Sequence, residues 1–275
     1  MGGRNGRVVG GRAMTTVAAL LGRRSTRAAE SSFLGLASPL AKLAVATVWL
    51  VGLALSLDPR PPLVLIVVAL SAGWPAGRIP PRRLVAWLVP LGLAALGLAT
   101  FNALLAAANA DPAAHELGRA GPLRITEEGV RAGLALGLRV LAIAATSAVF
   151  VLTTTPTRLA DALVQQARIP ARFAYGALAA YQAVPRFATD LLDLRAARRT
   201  RGLPGGWHPR VVFGLLVLAI RHADRVALAM DARGFGVGPR STYRPTSWSW
   251  RDGVVVGVGV AALLLALWAG GRLGP

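Results

Sequence analysis

Between Leu84 and Ala108 the chain runs for 25 residues without a charged side chain, and Asn102 is the only strongly polar residue in the run. About 20 mainly apolar residues cross the hydrocarbon core of a bilayer. A helix satisfies its own backbone polar groups there. That run reads as a membrane-spanning helix. Val254–Gly271 is a second uncharged stretch. Pro39–Leu57 reads as a third, with Lys42 near one end, where its stem can snorkel to water. Val140–Thr155 reads as a fourth when extended back through Gly129–Arg139, which brings in Arg131 and Arg139. Pro61–Trp74 is only fourteen residues long and follows the turn Asp58-Pro59-Arg60-Pro61-Pro62. It reads as a short span or as one arm of a re-entrant hairpin. The expectation is an all-α polytopic membrane protein with about five transmembrane helices.

Charge placement orients these segments. The chain carries 31 Lys+Arg against 12 Asp+Glu, a formal net charge of +19. Such a charge alone would suggest nucleic acid as a partner. Yet 54% of the residues are hydrophobic, above the roughly 45–50% of soluble domains. Residues 1–30 hold six Arg and one Glu, and Pro75–Arg83 holds three Arg and no acid. Asn109–Gly129 is acidic on balance: Asp111, Glu116, Glu127 and Glu128 face Arg119 and Arg124. Thr153–Asp252 holds fifteen Arg against six Asp. Five spans with a cytoplasmic N-terminus put every basic block inside and the acidic loop outside, as the positive-inside rule demands. Residues 1–35 read as a flexible basic cytoplasmic leader, because the apolar run Val17–Leu21 is too short for a signal peptide. Residues 36–155 then hold four membrane segments, 156–252 a cytoplasmic helical region, and 253–275 the last span and a short tail.

The 156–252 region is too charged to span and too apolar for a plain loop. Thr155 is placed to cap a helix with Pro156 at its first position. Leu159, Leu163 and Ala167, with Ala160 and Val164, form its apolar face, while Arg158, Asp161, Gln165 and Arg168 lie elsewhere. Arg168-Ile169-Pro170 ends it. A second helix is expected from Ala171 to about Arg201, kinked at Pro185 and stopped by Gly202 and Pro204. A third is expected from about Pro209 to Arg233, stopped at Gly234. Each has an apolar first half and a charged second half. Their ends read Thr200-Arg201-Gly202 and Ala232-Arg233-Gly234. An Arg beside the negative end of a helix dipole and a Gly free to turn left-handed make an ordinary cap. As a pair they also present two guanidinium forks, which suit carboxylate-lined pockets on a partner.

Enzyme chemistry finds little support. The chain has no cysteine, and His115, His208 and His222 are scattered without a metal-binding spacing. No G-x-x-x-x-G-K-[ST] sequence is present, so the chain does not itself read as a P-loop ATPase. Asp190, Asp193, Asp224 and Asp231 sit beside Arg186, Arg195 and Arg225 and read as helix-surface ion pairs. Gly234-Phe235-Gly236-Val237-Gly238 follows a helix and reads as a flexible exit rather than a phosphate loop. Nucleic-acid binding would need stacking aromatics beside the Arg clusters. Trp207, Trp248 and Trp250 read better as interface anchors. Arg139, a charge inside a span, is the intramembrane candidate. No catalytic residue, metal or cofactor is expected.

Four stretches resemble the transmembrane T component of energy-coupling factor (ECF) transporters. Ser38-Pro39-Leu40-Ala41-Lys42-Leu43 is similar to that family's N-P-x-x-K-L opening, with Ser for Asn. Arg139-Val140-Leu141 leading to Thr153-Thr154-Thr155-Pro156 is similar to its Arg-Leu-Leu to Thr-Thr-Pro stretch. Arg195–Gly202 resembles the first Arg-Gly motif, with Thr200 where Ala is common, and Leu228–Phe235 resembles the second. The resemblance covers about residues 35–270 and implies a non-catalytic coupling subunit of an ABC-type importer for vitamins or metal ions, in a prokaryotic plasma membrane. It implies as partners two ABC ATPase subunits and a small membrane-embedded substrate-binding S subunit. It assigns ATPase docking to Arg201 and Arg233, with Thr200, Gly202, Ala232 and Gly234 as their companions. The alternative is a self-sufficient secondary permease, which would need a polar site at mid-membrane.

Overall fold

Helix length follows the hydropathy. The computed structural model describes residues 31–271, except 57, 107–108, 110–114, 121–122, 204–207 and 237–241. The leader up to residue 30, Leu57, Asp111, Pro204, Trp207 and Val237-Gly238 lie outside the described residues. The described residues fall into two units, one of residues up to 155 together with 248 onward, the other of residues 156–247.

In the first unit a short helix α1 (Phe33–Leu36) precedes α2 (Pro39–Leu55), α3 (Arg60–Gly73), α4 (Pro81–Leu105), α5 (Glu127–Thr153) and, after the second unit, α9 (Trp250–Gly271). Helices α4, α5 and α9, of 25, 27 and 22 residues, are long and apolar enough to cross a membrane. Helices α2 and α3, of 17 and 14 residues, are apolar but shorter. At 1.5 Å per residue they extend only about 26 Å and about 21 Å. The protein is thus an all-α polytopic membrane protein. Its only sheet among the described residues is a two-stranded hairpin, β1 (Glu116–Ala120) and β2 (Leu123–Thr126), in what the sequence suggested was a plain loop. Arg124 Nε lies 3.1 Å from Glu116 Oε2 across it.

Close approach between helices uses specific small residues. Along α5, Gly129, Gly133 and Gly137 recur every fourth position and face α4. A Cβ on Gly133 would come within 2.8 Å of Ala103 N, and one on Gly137 within 2.8 Å of Ala99 Cβ. Of the small residues that crowd the α4 and α9 sequences, Ala95, Ala99, Ala103 and Gly259 sit at contacts. Gly97 and Gly257 face open space. Asn109 closes the end of this pair where α4 stops and α5 starts. Its Nδ2 donates to Ala103 O (2.8 Å) and Leu104 O (3.0 Å), while its Oδ1 accepts from Thr126 N and Oγ1. Thr126 in turn caps α5 by accepting from Gly129 N.

The charges expected within α5 find partners on the segment after α2, although the buried Nε of Arg139 makes no hydrogen bond among the described residues. Arg131 Nη2 lies 3.4 Å from Asp58 Oδ1, and Arg139 Nη2 donates to the carbonyl of Ser56, the residue that caps α2. Lys42 corrects the snorkelling expectation. It is 8% exposed, and its Nζ donates to Thr154 Oγ1 at 2.8 Å and Thr153 O at 3.1 Å. The ammonium group turns inward because the end of α5 offers it carbonyl and hydroxyl acceptors at the negative pole of a helix dipole.

The second unit contains α6 (Pro156–Gln165), α7 (Ala171–Thr200) and α8 (Pro209–Ala232). The amphipathic pattern of α6 is clear, but Asp161 is buried rather than solvated. Gln165 closes the unit by accepting from Thr246 N (2.7 Å) and donating to Arg244 O (2.9 Å). Helix α7 runs unbroken through Pro185.

Candidate docking site at two helix ends

Helices α7 and α8 pack antiparallel. Leu194 meets Gly214, the ring of Phe187 meets His222 edge-on at 6.1 Å, and Tyr175 meets Phe235 at 6.3 Å. As residue numbers fall along α7 they rise along α8. The two Arg-Gly ends therefore lie at opposite ends of the pair, separated by about 40 Å of helix at 1.5 Å per residue.

Both ends have the same backbone. Arg201 caps α7 with φ −92° and ψ 13°, and Arg233 caps α8 with φ −91° and ψ 9°. Gly202 and Gly234 follow with φ 69° and 65°, in the left-handed region. Gly202 N donates to Arg199 O (3.0 Å) and Leu203 N to Arg198 O (3.0 Å). Gly234 N donates to Asp231 O (2.9 Å) and Phe235 N to Met230 O (2.9 Å). These are two Schellman caps. Among the described residues no atom lies within 4 Å of a Cβ built on either Gly, so conformation and not crowding selects glycine there. Thr200, Arg201, Gly202, Ala232 and Arg233 are all exposed, and Gly234 is half-buried. Each cap thus fixes an Arg at a helix end with its side chain at the surface.

The ends differ in their support. Phe235, the residue after Gly234, lies against Tyr175, whose hydroxyl donates to Asp161 Oδ1 at 2.9 Å. Burial, then the hydrogen bond and charge of Asp161, raise the pKa of Tyr175, so the hydroxyl keeps its proton and its donor role. The second end is buttressed on α6. Leu203, the equivalent residue at the first end, is 46% exposed. The Asp161–Tyr175 bond was missed in the sequence. Its one signal was an acid and a tyrosine on flanking helices.

Four of the remaining candidates have structural partners, and of the helix-surface ion pairs expected around Asp190, Asp193, Asp224 and Asp231 only that of Asp190 is seen among the described residues. His208 Nδ1 accepts from Arg210 N and caps α8, and His222 packs on Phe187. Arg186 and Asp190 form a partly exposed pair at 4.0 Å, the kind worth at most about 1 kcal/mol. Arg139 belongs to the first unit and meets a backbone carbonyl rather than the Arg-Gly ends. Among the described residues no His, Cys, Asp or Glu group could hold a metal ion.

The chain is a predominantly helical membrane protein whose second unit carries two exposed Arg-Gly caps of the same geometry. The sequence model of the CbiQ family, described as cobalt transport protein, matches residues 30–243, and the chain belongs to that family. It is similar to the energy-coupling factor transporter transmembrane protein EcfT of Heliobacterium modesticaldum, at 31% identity over 54% of this chain and 63% of the relative. It is also similar to EcfT of Streptococcus thermophilus, at 30% identity over 54% and 61%, and of Limosilactobacillus fermentum, at 28% over 53% and 61%. The chain spans about three fifths of the length of these curated relatives.

Proposed function

We propose that the chain is the coupling subunit of an ECF-type importer for vitamins or metal ions. It passes ATP-driven movement from two ATPase subunits to a membrane-embedded S subunit that holds the substrate. Arg201 and Arg233 dock one ATPase each, with Thr200, Gly202, Ala232 and Gly234 shaping the docked surface. The N-terminus and residues 156–247 lie in the cytoplasm of a prokaryotic cell.

One observation carries this reading: two caps of the same geometry present exposed Arg side chains at opposite ends of one antiparallel helix pair. A single partner surface has no need of the same fork twice. Two copies of one partner, each with one socket, do. The secondary permease fares worse because the two polar groups the spans offer turn to backbone carbonyls. Asn102 Nδ2 donates to Leu98 O, and Arg139 to Ser56 O.

The chain's lack of cysteine makes a direct test available. Thr200→Cys and Ala232→Cys, each in the full chain within intact membranes, are expected to cross-link to a nucleotide-binding subunit. ATP is cytoplasmic, so both cross-links also test the orientation. Attachment at neither position would refute the docking assignment.

A further inference from the structure

The chain leaves the first unit after Thr155 and returns to it at Trp248. Both crossing points are tied to the same turn of α2. Lys42 Nζ donates to Thr154 Oγ1 (2.8 Å), Thr153 O (3.1 Å) and Thr153 Oγ1 (3.5 Å), holding the end of α5. Asp252, 1% exposed, accepts from Ser38 N through Oδ1 (2.6 Å) and from Ser249 N through Oδ2 (2.8 Å), holding the start of α9. Ser38 caps α2, and Lys42 lies one turn further on.

Helix α2 is in turn locked to α9. A Cβ on Gly259 would lie 2.5 Å from Val45 Cγ1, and one on Gly52 2.5 Å from Leu263 Cδ1. The Trp49 indole donates to Gly259 O at 2.7 Å. The same pair borders an apolar cavity of about 290 Å³, lined by Val45 and Trp49 of α2, Val258 of α9, and Val68, Ala72 and Val149 across from them. Close-packed interiors resist displacement. A void of this size gives the α2–α9 pair room to shift.

We propose that Lys42 and Asp252 brace the two connections of residues 156–247 onto the first turn of α2, so that the locked α2–α9 pair receives their movement and carries it through the membrane unit. This rests on the coupling function proposed above. Connections free to swivel would dissipate a displacement. Connections clamped at both crossings pass it on. Lys42 and Asp252 are positioning residues, acting through the helices they join.

The test uses the full complex, purified with its partners and reconstituted in liposomes, with ATP hydrolysis and substrate uptake measured per assembled complex. Lys42→Met keeps the apolar stem and loses the donors. Asp252→Asn keeps the shape but aims an amide N–H at a backbone N–H. Both are expected to keep ATP hydrolysis within about twofold while uptake per ATP falls about tenfold, the loss expected from one charge-assisted hydrogen bond. Lys42→Arg, which retains the charge and donors, is expected to recover most of it. Uptake per ATP at the wild-type level in both variants would overturn the brace and leave the coupling function standing. So would uptake and hydrolysis per complex falling together, since the defect would then lie in hydrolysis and not in its coupling to uptake. A wild-type chain that recruits no ATPase would instead remove the coupling function itself. A second readout needs no partner: spin labels at Ala44→Cys and Ser249→Cys in the full chain. Their distance distribution is expected to broaden with Asp252→Asn, and an unchanged distribution counts against the brace.

Discussion

Reversing both docking charges, Arg201→Glu with Arg233→Glu, is expected to abolish uptake and strip the ATPases from the membrane complex while leaving the chain folded. Both residues are exposed, and the cap hydrogen bonds at each end run between backbone atoms, so the caps themselves survive a change of side chain. The fold cost is the unfavourable position of a carboxylate at a helix C-terminus, about 0.3–1 kcal/mol each. At an interface, breaking a buried charge pair costs about 2–5 kcal/mol. Even the lower figure weakens binding roughly thirtyfold at each end, and the losses compound because both ends must be engaged. The double Ala variant separates the two effects: it has no dipole penalty and is expected to lose assembly almost as fully. Helicity should match the wild type in both. Normal uptake by a normally assembled Glu variant would sink the docking assignment.

The second large effect concerns the membrane unit. Gly133→Leu is expected to prevent α4 and α5 from packing and to remove the folded protein from detergent extracts. The nearest atoms to a Cβ at Gly133 include the backbone N of Ala103 at 2.8 Å, which has no rotamer to yield. Overpacking a well-filled contact costs about 1–3 kcal/mol and more where backbone must move. Small residues spaced four apart are what allow membrane helices to approach so closely. Gly97→Leu is the matched control. A Cβ there meets nothing within 4 Å, so folded yield should hold. Equal yields from the two variants would contradict the packing argument.

What could be read in the sequence was what depends on near neighbours. The apolar runs became helices because hydropathy over about 20 residues decides membrane insertion. The α7 and α8 ends fell within one residue of expectation because an Arg-Gly stop is a local signal, and the similarity to T components drew attention to the pair. The interactions that escaped are long-range. Lys42 was expected at water because its neighbours cannot reveal acceptors 111 positions away. Asp252 entered only a charge count, although its partner Ser38 lies 214 positions away. The hairpin at Glu116–Thr126 is nine described residues of weak alternation, too short to stand out from a loop. The Gly129, Gly133 and Gly137 spacing was legible but went unnoticed in a chain holding 31 Gly. The proposed docking role of Arg201 and Arg233 leans on family likeness. The antiparallel packing that puts them at opposite ends adds a reason independent of it.

The central claim is that this chain works between two ATPases and a substrate-binding membrane protein. Its most direct test is the subunit composition of the wild-type complex, purified through a tag on this chain and measured by intact-complex mass spectrometry. The account predicts one copy of this chain with two nucleotide-binding subunits and one small membrane protein. Recovery of the chain alone, still able to drive uptake in liposomes, would contradict it.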